Sequence, residues 1–246
     1  KNAGLVAAGI LNPAKKLGDE SNAFLLEIKV PYALGIMANR ELDSFTPGIN
    51  DLLYGNSEHN LISVEEKMAK GKVAIEALKN YKEAKKANDE SLMKSSLSNL
   101  ESNLNFLGYG YLKDAKDAVP PVALTFYSFH IMVALGTYFI ALFAITLYLN
   151  LSRKYKFENI RAFLWICLFT IPLGYIAAEA GWIVAEVGRQ PWAIQDLMTV
   201  GVGATNLSDS NVKISFILFA VLFTVLLIAE IKIMLKQIKI GFNDHA

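Results

Sequence analysis

The stretch at 122–150, VALTFYSFHIMVALGTYFIALFAITLYLN, runs without a single Asp, Glu, Lys or Arg. A hydrocarbon core about 30 Å thick is crossed by roughly 20 residues of helix at about 1.5 Å each. This segment is long enough to cross a bilayer and too apolar to stay in water. Two further runs behave alike. Residues 162–187 carry only Glu179 and Glu186 as charges, and residues 214–235 only Glu230 and Lys232. The reading is an all-α membrane protein with three transmembrane helices, at about 122–150, 162–187 and 214–235. Composition agrees: 53% of residues are hydrophobic and 19% charged, against roughly 45–50% and 25% in soluble domains. A disordered chain and a single soluble domain are excluded. A net charge of +1 offers no footprint for nucleic acid. The one cysteine, Cys167, excludes an intrachain disulfide framework and a Cys-ligated metal site, and its apolar neighbours make it a small buried hydrophobe.

Residues 1–121 hold most of the charge and are predicted to form a water-exposed, mostly helical loop region ahead of the membrane domain of residues 122–246. The chain opens Lys1-Asn2 without Met, as expected of a processed chain or a fragment. GLVAAGIL at 4–11 is too weak to read as a targeting segment. Pro31 suits a short extended piece leading into a helix within 28–38. Ser63 and Glu66 have capping-box spacing, so a helix should start at Val64, with Val64, Met68, Ala74, Ile75 and Leu78 as its apolar stripe. Lys82, Lys85 and Lys86 suit its negative end. A second helix is expected from about Ser91 to Leu107, stopped by Gly108 in a left-handed conformation. His59 and His245 read as surface residues.

The connection 151–161 carries Arg153, Lys154, Lys156 and Arg161, and the tail adds Lys236 and Lys239. Short basic connections stay cytoplasmic. Residues 1–121 and the 188–212 connection are then extracytoplasmic.

Ionisable groups within a span are costly against lipid and so mark function by default. Glu179, Trp182, Glu186 and Arg189 recur at i, i+3, i+7 and i+10, which at about 100° per residue places them on one helix face. Spacing alone leaves two readings open. One is a helix interface with an internal Glu186–Arg189 pair. The other is a functional face.

GWIVAEVGRQPWAI (181–194), with its contiguous GRQPW, resembles the signature of subunit I of cytochrome bd-type quinol oxidases. FYSFHIMVALG (126–136) and IKVPYALGIMANR (28–40) resemble two further segments of that family, in the right order. The resemblance is to the C-terminal half of a subunit with about nine spans, whose haem-ligating histidines lie in the other half. It implies a terminal respiratory oxidase of the bacterial inner membrane, passing electrons from quinol through b haems to dioxygen. Residues 1–121 would be the C-terminal part of its extracytoplasmic quinol loop. Its cofactors would be low-spin and high-spin haem b, with haem d or a second high-spin haem. Its partners would be quinol, dioxygen, oxidase subunit II, small accessory subunits and the lipid bilayer.

The resemblance also implies roles. Met132 matches the methionine ligand of the low-spin haem, and methionine–histidine ligation raises a haem's potential. Glu186 matches the glutamate beside the high-spin pair, as an axial ligand to one iron. Arg189 would neutralise propionates or that carboxylate. Trp182 matches an aromatic between the haems, and Glu179 would belong to a proton route. His130 stands where the family usually has arginine; it would donate to a propionate and cannot be the second ligand beside Met132, because residues two apart point about 200° apart. By helical rise Met132 lies roughly 15 Å into span one. Glu186 sits at the outer end of span two, on the same non-cytoplasmic side. A reading from another class makes Glu179 and Glu186 the ion- or proton-conducting pair of a non-catalytic membrane subunit or transporter. The fragment by itself is expected to be inactive.

Overall fold

The computed structural model describes residues 4–19, 21–42, 45–152, 160–205 and 208–240. Arg153, Lys154, Lys156 and His245 lie outside the described residues. Contacts divide the chain into two units, residues 1–203 and 204–246.

The first unit opens with a feature not anticipated from the sequence. β1 (Leu5–Leu11) pairs antiparallel with β2 (Phe24–Val30). The weakly apolar 4–11 run is thus a strand of a two-stranded ribbon. Such a ribbon is marginal alone in water, and this one is tied to the first membrane helix. Tyr127 Oη accepts a hydrogen bond from Leu11 N at 3.1 Å, and the rings of Phe24 and Phe126 lie 5.4 Å apart. The expected helix after Pro31 forms as α1 (Ala33–Asn39). α2 (Ile49–Tyr54) follows.

α3 (Val64–Ala87) starts where its cap predicts: Ser63 Oγ accepts from Glu66 N at 3.2 Å. Lys85 and Lys86 lie in its last turn, and Asn88 closes it in the left-handed region. Its buried face is smaller-grained than the expected stripe. Val64, Met68 and Ala74 are buried, joined by Gly71, Ala77 and Ala84, while Ile75 and Leu78 are only half-buried. Small residues win that face because another backbone approaches it. A Cβ on Gly71 would collide with Gly110 N and Phe106 O.

α4 (Glu90–Asn103) is capped by Asp89, whose carboxylate accepts from Ser91 N and Leu92 N. The helix ends four residues short of the expected Leu107. The chain continues as a 3₁₀ stretch, Leu104–Tyr111. Gly108 lies inside that stretch and is not a left-handed stop; among the described residues the glycines with positive φ are Gly18 and Gly55. Gly108 is needed for close approach instead. A Cβ there would meet Asp196 O at 2.6 Å and Trp192 Cζ3 at 2.7 Å.

Among the described residues three helices are long and apolar enough to cross a membrane. α5 (Val122–Leu151) and α6 (Arg161–Val187) match the first two predicted spans within two residues. They pack as an antiparallel pair. Thr125 faces Gly188 at the outer end, and seven residues further along each chain Met132 faces Gly181. Deeper in, the hydroxyls of Tyr138 and Thr170 lie 2.7 Å apart, a polar contact of the kind that joins helices in lipid. Past α6, β3 (Trp192–Ile194) and β4 (Met198–Thr199) form a small hairpin that ends in a one-turn helix, α7 (Val200–Gly203). In the second unit, α8 (Asp209–Ile240) is longer than the predicted 214–235 at both ends, and none of its residues is buried.

Gly71→Ala tests the α3 contact. Overpacking of this kind costs about 1–3 kcal/mol. The expected outcome is faster proteolysis of the 64–111 segment in the membrane-embedded protein, with the spans intact.

Candidate functional site

The predicted site residues divide between the facing sides of α5 and α6 and the loop after α6. Met132 is half-buried and turned toward α6. The missing Cβ of Gly181 leaves room for its thioether, since a Cβ there would stand 3.1 Å from Sδ. Glu186 lies five residues beyond Gly181, roughly 7.5 Å further along the axis by helical rise. The antiparallel register therefore brings Met132 and Glu186 to nearby depths on adjoining helices, near their outer ends.

Glu186 Oε1 accepts a hydrogen bond from Arg189 Nη2 at 2.7 Å. The i, i+3 pair read from spacing is formed, with both side chains about half exposed (45% and 47%). Trp182 is 62% exposed, and Glu179 is exposed one turn below it. This chain alone leaves that face of α6 uncovered. An uncovered carboxylate within a span requires another helix, a cofactor or water against it.

His130 is held at both ring nitrogens: Nδ1 lies 2.8 Å from Phe126 O and Nε2 2.9 Å from Val6 O. A neutral imidazole has one N–H to give and can serve one of these carbonyls; a ring protonated at both nitrogens serves both. The side chain expected to reach a propionate is thus engaged with β1. A propionate contact requires the Val6 carbonyl to give way.

A second cluster, outside the predicted set, joins the 64–111 segment to the loop after α6. Gly108 N donates to Asp196 O at 2.8 Å. Tyr109 Oη donates to Asp196 Oδ1 at 2.7 Å, and its ring meets Trp192 edge-on at 4.8 Å between centroids. Tyr109 and Trp192 are both buried. Burial, then the hydrogen bond to Asp196 and its charge, hold the Tyr109 phenol above its ordinary range, so it stays a donor. Trp192 N donates to Arg189 O at 2.9 Å, which links the cluster to the Glu186–Arg189 pair. The signals for it were present in the sequence: a tyrosine between two glycines, and an acid four residues past Trp192.

Among the described residues no three His, Cys, Asp or Glu side chains gather into a metal site. Of the two residues expected to ligate iron, Met132 offers a thioether and Glu186 a carboxylate.

Comparison with known proteins gives a consistent answer. Residues 1–242 match the family described as cytochrome bd terminal oxidase subunit I. The chain is 32% identical over 239 residues to the cytochrome bd-II ubiquinol oxidase subunit 1 of Escherichia coli, covering 90% of this chain and 43% of that protein. It is 36% identical over 126 residues to the cytochrome bd ubiquinol oxidase subunit 1 of Bacillus subtilis, covering 51% of this chain and 26% of that protein. The chain thus spans less than half the length of these relatives. The solved bd oxidase from Geobacillus thermodenitrificans shares its fold, with a TM-score of 0.53 at 22% identity over 98% of this chain and 39% of that one.

Tyr109→Phe keeps the ring against Trp192 and removes the bond to Asp196. Hydrogen bonds to charged groups contribute about 1.5–3 kcal/mol, and partial exposure puts this one at the lower end. Melting of the extramembrane segment, followed by hydrogen exchange, is expected to come several degrees earlier. The pH dependence has a definite sign. A raised phenol contributes stability that is present below the ordinary value of 10.0 and is lost as pH rises through the still higher folded value. The difference between wild type and Tyr109→Phe should therefore persist to pH 10 and shrink only beyond it.

Proposed function

This chain belongs to the cytochrome bd terminal oxidase subunit I family, and on that premise we propose that it forms part of a haem-containing quinol:oxygen oxidoreductase. The activity, substrates and partners belong to the whole complex: quinol, dioxygen, a second subunit with small accessory subunits, and the bilayer of the bacterial cytoplasmic membrane. Residues 1–121 and the 188–212 connection face outward. The observation that carries the reading is the α5–α6 register, which sets Met132 opposite Gly181 and near the depth of Glu186. Nothing comparable favours the transporter reading.

The residues fit the group that the family implies. Thioether sulfur is a soft iron ligand. Met132 Sδ lies over the gap left by a glycine and makes no hydrogen bond among the described residues. Glu186 Oε2 is likewise free of the Arg189 contact, which engages Oε1. Met132 would hold the low-spin haem b from one side, and Glu186 would serve a high-spin haem, b or d. When bound, the haems supply one-electron transfer and the reduction of dioxygen, chemistry that belongs to the cofactor. Arg189 holds the Glu186 carboxylate by its Oε1 and fixes its direction. Trp182 presents an aromatic face beside it. Glu179, about two turns deeper than Glu186 on the same helix, offers a further carboxylate on a proton route toward it. His130 holds the β1–β2 ribbon against the head of α5 through the Val6 carbonyl and supplies a hydrogen-bond donor where the resemblance leads one to expect an arginine.

Two measurements on the full-length complex test this. Met132→Leu keeps volume and apolarity and removes the sulfur; reduced-minus-oxidised spectra should lose the low-spin haem alone, and quinol oxidation should stop. An unaltered low-spin spectrum would falsify the assignment. Glu186→Gln should deplete the high-spin haems and leave the low-spin haem. The double change Glu186→Gln with Arg189→Gln should not rescue them. Rescue would mean that the carboxylate serves only to pair the guanidinium.

A further inference from the structure

The first two turns of α6 carry a cavity that the haem assignments do not use. Its volume is about 200 Å³, and Arg161, Leu164, Trp165 and Leu168 line it. These positions recur at i, i+3, i+4 and i+7, so they share one face of the helix. The Trp165 ring is stacked on Phe169 at 5.9 Å between centroids, which extends the aromatic wall by a further turn. Leu164, Trp165 and Leu168 are each about half exposed.

The place of this cavity in the bilayer follows from the chain. The short basic connection of residues 151–161 keeps this end of α6 on the cytoplasmic side. From Arg161 to Leu168 is roughly 10.5 Å by helical rise, less than the about 15 Å of hydrocarbon in one leaflet. The cavity therefore runs from the head-group level into the acyl chains of the inner leaflet alone. An arginine and a tryptophan at a membrane boundary anchor many helices. The cavity between them makes this a place for one molecule.

The charge at its mouth has no answer within the chain. The Arg161 guanidinium makes no ion pair or hydrogen bond among the described residues, and the first turn of α6 holds no acidic residue. The order of groups down the face then specifies what would answer it. A guanidinium fork takes two phosphate oxygens at once. One turn deeper the Trp165 indole offers an N–H donor, and Leu164 and Leu168 offer only carbon. A diacyl phospholipid presents phosphate, ester carbonyls and acyl chain in the same order from the surface inward. Free phosphate has nothing to give the apolar walls. A zwitterionic lipid brings its own cation to its phosphate, whereas an anionic one leaves that charge for Arg161. The cytoplasmic surface is the one that carries anionic lipid, and basic pockets on that side take anionic head groups.

We infer that this cavity holds one anionic phospholipid of the inner leaflet, its phosphate on Arg161 and one acyl chain along Leu164 and Leu168 against the Trp165 ring. The inference needs only the membrane topology and is independent of the haem assignments.

The test uses the full-length complex in nanodiscs of phosphatidylcholine that contain a little phosphatidylglycerol with a diazirine on its acyl chain. Photolysis should label peptides within 161–169. Added phosphatidylglycerol should compete for that label, and added phosphatidylcholine or inorganic phosphate should not. Arg161→Gln should lower labelling about fivefold, the scale of one basic residue at an anionic surface, and Arg161→Lys should keep most of it. Leu168→Trp, which fills the groove, should lower it with Arg161 intact. Haem spectra like those of the wild type identify the variants that have assembled, and competition on the wild-type complex decides the matter where one has not. Three results each overturn the inference: equal labelling by a diazirine phosphatidylcholine, displacement by inorganic phosphate, or label confined to other segments. Labelling that an assembled Arg161→Gln complex leaves unchanged does the same.

Discussion

The α5–α6 contact sets the position of almost everything else in the first unit. Two apolar helices in lipid gain nothing from the hydrophobic effect by meeting each other, so close packing and a few polar contacts must hold them. Here the gaps at Gly181 and Gly188 receive Met132 and Thr125, and the Tyr138–Thr170 contact joins the helices further in. That register puts a thioether and a carboxylate from separate helices at neighbouring depths. It also fixes the ends of the two spans side by side, which is where the extramembrane elements attach.

Those elements attach at two places by different means. The β1–β2 ribbon is held to the head of α5 through Leu11, Phe24 and the Val6 carbonyl, and His130 is the residue that reaches back to it. The 64–111 segment is held to the loop after α6 through Gly108, Tyr109 and Asp196. The second attachment leaves no room for a side chain at the point of contact. Gly108 allows the second, as Gly71 and Gly110 allow the 3₁₀ stretch to lie on α3. The loop that carries Arg189 is thus braced from outside the membrane, and a change in the extramembrane segment has a short path to the Glu186–Arg189 pair.

The uncovered face of α6 and the large exposed side chains along the spans describe what surrounds this chain. Ile140 is 72% and Tyr175 74% exposed, and both need lipid or further helices against them. Glu179 cannot be left to lipid, and its neighbour Trp182 offers a flat aromatic surface on the same side. Charge and aromatic area on one face suit a cofactor or a further helix packed against it.

Much of this was determined by sequence alone. The three spans follow from the length of uncharged apolar runs, because bilayer thickness dictates the minimum and charge sets the boundary. The start of α3 follows from Ser63, since a cap is a local interaction over three residues. The Glu186–Arg189 pair follows from i, i+3 spacing, which helix geometry makes a contact. What tertiary structure decided involves residues far apart in the chain. The 4–11 run became a strand because a partner at 24–30 and an anchor on α5 were available, and its own pattern was too weak to say so. Gly108 reads as a helix stop by local rules, yet its bareness serves a backbone 88 residues away, at Asp196. His130 reads as a donor to a cofactor, yet both of its nitrogens found carbonyls, one of them 124 residues distant. Spacing along a helix is written in the sequence; which backbone passes close enough to require a glycine is settled only when the chain has folded.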